Sequence, residues 1–167
     1  GLGDVYKRQG EHKYIIEIKN SGELGMKGVD ILYNIIKERG ILEDVIFGSF
    51  HEEVSHYVDD NYPDFKRSAT IKEVLSFYNA ANLNKKNFEA KYVALQIPYN
   101  MPFRLAANLG TAKVINYAHE HGIAVQYWTV NNEKDLAYLS QMGADCIMTD
   151  YPDRLYKIVS EQSENAA

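Results

Sequence analysis

Short apolar runs alternate with stretches of helical periodicity along most of this chain. The first run, residues 14–18, is rich in β-branched and aromatic residues and predicts a strand. Turn-forming residues follow it, and apolar positions then recur at intervals of three and four residues. That spacing predicts an amphipathic helix, which Gly40 ends. Its apolar positions are Val29, Leu32, Tyr33 and Ile36.

The same alternation recurs downstream. A second strand is predicted to open at 45–47 and to end near 49–50. Further strands are predicted at 92–97, 123–130 and 146–148, and 68–70 is a candidate short strand end. The helices between them have recognisable starting residues, namely Glu52, Thr70, Thr111, Asn132 and Pro152. About six strand–helix units result, which indicates a parallel sheet. Two α/β architectures fit: an open doubly wound sheet, or part of a (β/α)8 barrel of the TIM type. Such a barrel usually takes about 250 residues, so roughly a quarter to a third of it would be missing.

Composition removes several classes of function. The 167 residues are 46% hydrophobic and 25% charged, which is ordinary for one globular domain. The net charge of −5, without a Lys/Arg stripe, argues against a nucleic-acid partner. No apolar run approaches the roughly 20 residues of a membrane helix, so no membrane span is predicted. The single cysteine, Cys146, cannot form an internal disulfide, and the cellular compartment stays open.

The first nine residues have neither the apolar core of a signal peptide nor a clear period. They look like translated adapter sequence at the end of a reading frame assembled from environmental DNA. We therefore expect residues 1–9 to be a non-native leader, with the true protein extending upstream. Residues 10–160 are expected to form the partial domain, and residues 161–167 a frayed tail.

Glu17 and Lys19 are the first candidates for chemistry, because parallel α/β folds bind ligands at the carboxyl ends of their strands. The two residues lie two apart at the end of the first predicted strand, so their side chains project to the same face. A carboxylate there can bind Mg²⁺ or Ca²⁺, and an ammonium can hold a phosphate oxygen. The alternative interpretation is a structural ion pair or a solvated strand end.

Aromatic and amide side chains stand near other strand ends. Trp128 and Phe50 could form aromatic walls beside a substrate, although core packing is the better explanation for Trp128 taken alone. Gln96 could hydrogen-bond a ligand or satisfy a neighbouring backbone group.

The histidines and the cysteine are weaker candidates for catalysis or metal binding. His119 and His121 point to different faces of a predicted helix, and the spacing of His51 and His56 is a poor helical match. Surface positions are expected for all four, and a core position without a neighbouring base is expected for Cys146. The chain has no Gly-rich phosphate loop, no Gly-x-Ser-x-Gly elbow and no zinc spacing.

Taken in order, the strand ends resemble those of the glycerophosphodiester phosphodiesterase family. The resemblance rests on Ile-Glu-Ile-Lys at 16–19, Val-Ile-Phe-Gly-Ser-Phe at 45–50 and Leu-Gln-Ile-Pro at 95–98. The fourth motif is the closing stretch, from Trp-Thr-Val-Asn at 128–131 through Gly-Ala-Asp-Cys-Ile-Met-Thr-Asp-Tyr-Pro-Asp at 143–153. Each motif is weak alone, but four in order at plausible spacing are specific, and they extend over nearly everything from Lys13 to Val159.

The resemblance implies a (β/α)8 barrel that hydrolyses glycerophosphodiesters to glycerol 3-phosphate and an alcohol with a divalent metal, Mg²⁺ or Ca²⁺. It implies that Glu17 is a metal ligand and that Lys19 is a catalytic residue beside the substrate phosphate. Trp128 and Phe50 would line the substrate pocket. The implied mechanism is general acid–base catalysis assisted by metal polarisation of the phosphate.

The sequence also departs from the family. The family's His-Arg-Gly motif on its first strand, its Glu-x-Asp motif on the second and the His-Asp pair that follows are missing from the predicted strands. The strands would then correspond to about the third through eighth of the barrel. We expect the chain alone to be inactive, because one carboxylate and one lysine cannot supply an acid, a base and a full set of metal ligands. Two alternatives remain: a related barrel phosphodiesterase acting on phospholipid head groups, and a non-catalytic open-sheet α/β binding domain.

Overall fold

The computed structural model of the chain describes residues 12–99 and 109–165. The chain divides into two compact units. The first unit comprises Gly1–Lys72 and Lys91–Val93, and the second comprises Glu73–Ala90 and Ala94–Ala167. None of the helices within the described ranges combines the length and the apolar character that a membrane crossing requires.

The first unit is a parallel strand pair with two helices. Strand β1 (Tyr14–Glu17) leads into helix α1 (Gly22–Glu38), and a 3-10 turn (Leu42–Asp44) precedes strand β2 (Val45–Gly48) and helix α2 (Glu52–Asn61). The strands run parallel, with Tyr14 opposite Val45 and Glu17 opposite Gly48. Near the strand end expected at 68–70, an isolated parallel bridge joins Phe47 to Arg67.

The core of this unit lies on the helix-covered face of the strand pair. Side chains alternate along β1, so Ile16 packs against that core while Ile15 and Glu17 stand on the opposite, exposed face. Burial of the apolar helix positions predicted from the sequence fixes α1 and α2 against the strands. The buried residues are Val29, Tyr33, Ile36, Ile41, Val45, Phe47, Val54, Val58 and Phe65.

The second unit is a three-stranded parallel sheet in the order β3-β4-β5. Strands β3 (Ala94–Pro98), β4 (Ala124–Trp128) and β5 (Cys146–Ile147) alternate with helices α4 (Ala112–Glu120), α5 (Glu133–Gln141) and α6 (Pro152–Asn165). Helix α3 (Ile71–Asn82) begins at the end of the first unit and lies mostly in the second. The parallel α/β architecture predicted from the sequence is thus confirmed.

Helices α4 and α5 of this unit begin at predicted capping residues and end at predicted glycines. Thr111 Oγ1 accepts a hydrogen bond from Val114 N at 3.3 Å, and Asn132 Oδ1 accepts one from Lys134 N at 2.9 Å. Each cap satisfies a backbone donor that the first helical turn leaves unpaired. Gly122 and Gly143, just beyond α4 and α5, have positive φ values of +69° and +86°, which glycine adopts without steric cost.

Candidate functional site

The carboxyl ends of β1 and β2 bring Glu17 and Lys19 together, as predicted. Lys19 Nζ lies 4.0 Å from Glu17 Oε2, and the two side chains are 83% and 35% exposed. An ion pair this long and this exposed contributes little to stability. The structural ion pair considered above therefore does not explain these two residues. The exposure of the Lys19 ammonium agrees both with the solvated strand end considered above and with a ligand site.

The loop between β1 and α1, residues 18–21, is held by side chains that follow β2. Ser49 Oγ donates a hydrogen bond to Ile18 O at 3.0 Å, and His51 Nε2 lies 3.0 Å from Lys19 O. Just beyond the loop, Gly22 N donates to Glu53 Oε1 at 3.2 Å. The pKa of the Glu53 carboxyl is lowered, chiefly by the hydrogen bond from its own backbone amide and then by the one from Gly22 N.

Sequence reasoning missed the roles of Ser49 and His51. His51 is partly exposed, which is compatible with the surface position expected for it, but its ring also contacts a backbone carbonyl, which was not predicted. Their position directly after a strand end was the available signal. Phe50, between them, is 55% exposed, and an exposed aromatic at a strand end suits contact with a ligand better than it suits the core.

Trp128 belongs to the second unit, whereas Glu17, Lys19 and Phe50 belong to the first. It ends β4 opposite Pro98 and is half-buried, so it is not a simple core residue. Two residues earlier in each strand, Gln96 Nε2 donates to Gln126 Oε1 at 3.0 Å. Gln96 therefore bonds a neighbouring side chain, whereas the sequence had left a ligand or a backbone group as its partner.

The motif at 143–153 shapes the same edge of the second unit. Asn131 Nδ2 donates to Asp150 Oδ2 at 2.8 Å, and Asn131 Oδ1 accepts from Asp150 N at 3.0 Å and from Thr149 Oγ1 at 3.2 Å. One asparagine thus ties the segment after β4 to the segment after β5. This accounts structurally for two of the motifs on which the family resemblance rests.

The remaining titratable candidates have structural partners. His119 Nε2 lies 2.9 Å from Asp145 Oδ2 on the surface, as expected. His121 is half-buried against the Tyr117 ring, 4.3 Å away between centroids, so its expected surface position is wrong. Burial raises the pKa of the half-buried Cys146 thiol, with a smaller effect from Asp145. A raised pKa keeps the group as an unreactive thiol.

The residues that the structure describes do not form a complete metal site. Within 12–99 and 109–165, no group of three or more His, Cys, Asp or Glu side chains could hold a metal ion. A divalent cation such as Mg²⁺ or Ca²⁺ requires about six oxygen ligands, some of them water. Glu17 offers one carboxylate, which is a single ligand and not a site.

Repeating parallel strand–helix units define an α/β fold of the kind that binds ligands at the carboxyl ends of its strands. The sequence model of the glycerophosphoryl diester phosphodiesterase family matches residues 2–154. The chain therefore belongs to that family.

Individual relatives agree with this assignment. The protein YhdW of Bacillus subtilis strain 168, whose name places it among the glycerophosphodiester phosphodiesterases, is 30% identical over 127 residues, which are 71% of this chain and 50% of YhdW. The mouse lysophospholipase D GDPD3 is 33% identical over 51 residues, 30% of this chain and 16% of that protein. The chain thus spans at most about half the length of these curated relatives.

Solved structures share the fold. The glycerophosphodiester phosphodiesterase from Agrobacterium tumefaciens strain C58 superposes with a TM-score of 0.68 at 16% identity, over 95% of this chain and 60% of that one. The structure from Parabacteroides distasonis ATCC 8503 superposes with a TM-score of 0.65 at 17% identity, over 97% of this chain and 64% of that one.

Proposed function

We propose that this chain is the carboxyl-terminal part of a glycerophosphodiester phosphodiesterase. The whole protein would hydrolyse a glycerophosphodiester to glycerol 3-phosphate and an alcohol. Family membership supports the reaction class. The observation that carries the proposal is the placement of Glu17 and Lys19 on one exposed face at the carboxyl end of β1, 4.0 Å apart, where folds of this type bind their ligands.

Each candidate residue has a role in this proposal. The ammonium of Lys19 contacts a phosphate oxygen of the substrate as a compact point charge, and this charge stabilises the negative charge that develops there. Phe50 offers apolar surface to the substrate near Lys19 in the first unit. Trp128 offers apolar surface at the strand ends of the second unit. Glu17 contributes one carboxylate oxygen toward a divalent metal, for which the remaining ligands must come from outside the described residues.

The proposal also states which part of a complete barrel this chain would form. Strands β1 to β5, with the segment around Arg67, correspond to about the third through eighth strands of a barrel. Within this proposal, residues 10–160 would form the partial barrel. His-Arg-Gly does not occur in the sequence, and the only Glu-x-Asp, at 133–135, lies on helix α5 and not on a strand. In this proposal the catalytic acid and base would therefore come from another part of the protein.

A first test uses the 167-residue chain itself. We expect no metal-dependent release of glycerol 3-phosphate from a glycerophosphodiester, because the chain lacks an acid–base pair. Measurable turnover would overturn the assignment of the catalytic residues to another part of the protein.

A second test measures binding of glycerol 3-phosphate by titration in ¹H–¹⁵N NMR. The shifts should centre on residues 17–19 and weaken in Lys19→Ala. Lys27→Ala is the matched control, because Lys27 is an exposed lysine paired with Glu23 on α1. If the ligand produces no shifts at residues 17–19, this site does not bind phosphate.

A second candidate activity is cleavage of phospholipid head groups. The similarity to the mouse lysophospholipase D favours it, although only 30% of this chain is matched. Comparing a glycerophosphodiester with a lysophospholipid as substrates of the longer protein separates the two activities.

A further inference from the structure

We propose that Ser49 and His51 are positioning residues that hold the loop at 18–21 so that Lys19 is presented at the carboxyl end of β1. This inference rests on the proposed function, because it assigns a purpose to the orientation of Lys19. Neither residue contacts substrate in this role. Each acts through a backbone carbonyl of the loop.

The parallel ladder between β1 and β2 stops before Lys19. Ile18 N donates to Gly48 O at 3.0 Å, which is the last backbone hydrogen bond between the two strands. Beyond it, side chains replace the backbone as partners. Ser49 Oγ donates to Ile18 O at 3.0 Å, and His51 Nε2 reaches Lys19 O at 3.0 Å. These two hydrogen bonds fix the backbone at Ile18 and Lys19, the two residues that follow the end of β1.

Neighbouring contacts hold the loop from the other side. A Cβ atom on Gly25 would lie 2.3 Å from Asn20 O and 2.8 Å from Val54 Cγ2, so the first turn of α1 packs directly on the loop. Glu53 Oε1 accepts from Gly22 N at 3.2 Å at the start of that helix. These contacts restrain the loop on both sides of Lys19. At Lys19 itself, the restraint is the contact between its backbone carbonyl and His51 Nε2.

The chemistry of His51 fits a restraint better than a helix cap. His51 occupies the N-cap position of α2, yet its side chain makes no capping hydrogen bond. Because a carbonyl oxygen only accepts, Nε2 must carry the proton in this contact. Both the Nε2–H tautomer and the imidazolium meet that requirement, so the contact persists whether the ring is neutral or charged.

The test compares His51→Ala, His51→Gln and Ser49→Ala in the full 167-residue chain. A glutamine amide can donate from about the position of Nε2, whereas alanine cannot. His56→Ala is the control, because His56 is an exposed histidine on the same helix. The readouts are the ¹⁵N order parameters of the Lys19 and Asn20 amides, the affinity for glycerol 3-phosphate by NMR titration, and the melting temperature.

We expect the order parameters to fall from about 0.85 toward about 0.6 in His51→Ala and Ser49→Ala. Affinity for glycerol 3-phosphate should weaken about two- to tenfold, as for the loss of one hydrogen bond. His51→Gln should restore both values, and His56→Ala should change neither. Melting temperatures close to that of the parent chain would show that the effect is local to the loop.

Two results would overturn the inference, and they are distinguishable. If the parent chain binds glycerol 3-phosphate but His51→Ala changes neither order parameters nor affinity, His51 does not position Lys19 and the proposed function stands. If the parent chain does not bind, the proposed function of this site fails, and with it the purpose assigned to the restraint.

Discussion

Breaking the buried ion pair between Arg67 and Asp59 should destabilise the first unit strongly. The Arg67 side chain is 1% exposed and the Asp59 side chain 14%. Arg67 Nε and Nη2 donate to the two carboxylate oxygens at 2.6 and 2.8 Å, so the pair is bidentate. Asp59→Ala would leave a buried guanidinium without its counter-charge. Removing one partner of a buried pair typically costs about 3–5 kcal/mol, which is a large part of a usual stability of about 5–15 kcal/mol.

The assay is urea unfolding followed by circular dichroism. Asp60→Ala is the matched control, because Asp60 is the next residue on α2 and is exposed. The free energy of unfolding of Asp60→Ala should stay within about 0.5 kcal/mol of that of the parent chain. An Asp59→Ala variant whose free energy of unfolding falls within about 1 kcal/mol of the control would refute the reasoning. Arg67 pairs with β2 at Phe47, so this pair also supports the strand that leads to Ser49 and His51.

Two further predictions concern α1 and its surroundings. The hydrogen bond from Tyr33 and the charge of Lys37 hold the pKa of the Asp64 carboxyl below its usual value of about 4. This stabilisation is complete above the usual pKa and is lost as pH falls through the lowered one, so the difference in urea midpoint between the parent chain and Asp64→Asn should shrink between pH 6 and pH 2. A constant difference would contradict this. Gly25→Ala should cost about 1–3 kcal/mol by overpacking, because its Cβ would lie 2.3 Å from a backbone oxygen, whereas Gly28→Ala meets only a side chain at 3.3 Å. Equal midpoints for the two variants would rule out that close contact.

The sequence allowed the elements to be predicted because local chemistry decides them. Caps such as Thr111 and Asn132 and the stop at Gly122 act within a few residues, and apolar periodicity marks the faces that the helices bury. The pairing of Glu17 with Lys19 was also accessible, since residues two apart on a strand share a face.

Contacts between distant residues could not be predicted in this way. Arg67 reads as a surface residue, and nothing in its neighbourhood reveals that Asp59 neutralises it inside the first unit. His51 contacts a backbone carbonyl 32 residues earlier in the chain. A carbonyl belongs to every residue type, so its use as a partner leaves no trace in the sequence.

The most direct measurement of the central claim is the rate of glycerol 3-phosphate release from a glycerophosphodiester by the longer protein proposed above. The unsubstituted longer protein should release glycerol 3-phosphate in the presence of a divalent metal. Lys19→Ala should be slower by about 10²- to 10³-fold, the usual effect of losing one group that stabilises developing charge, while Lys27→Ala should match the parent. Equal rates for Lys19→Ala and the parent, or no release by the extended protein, would contradict the account.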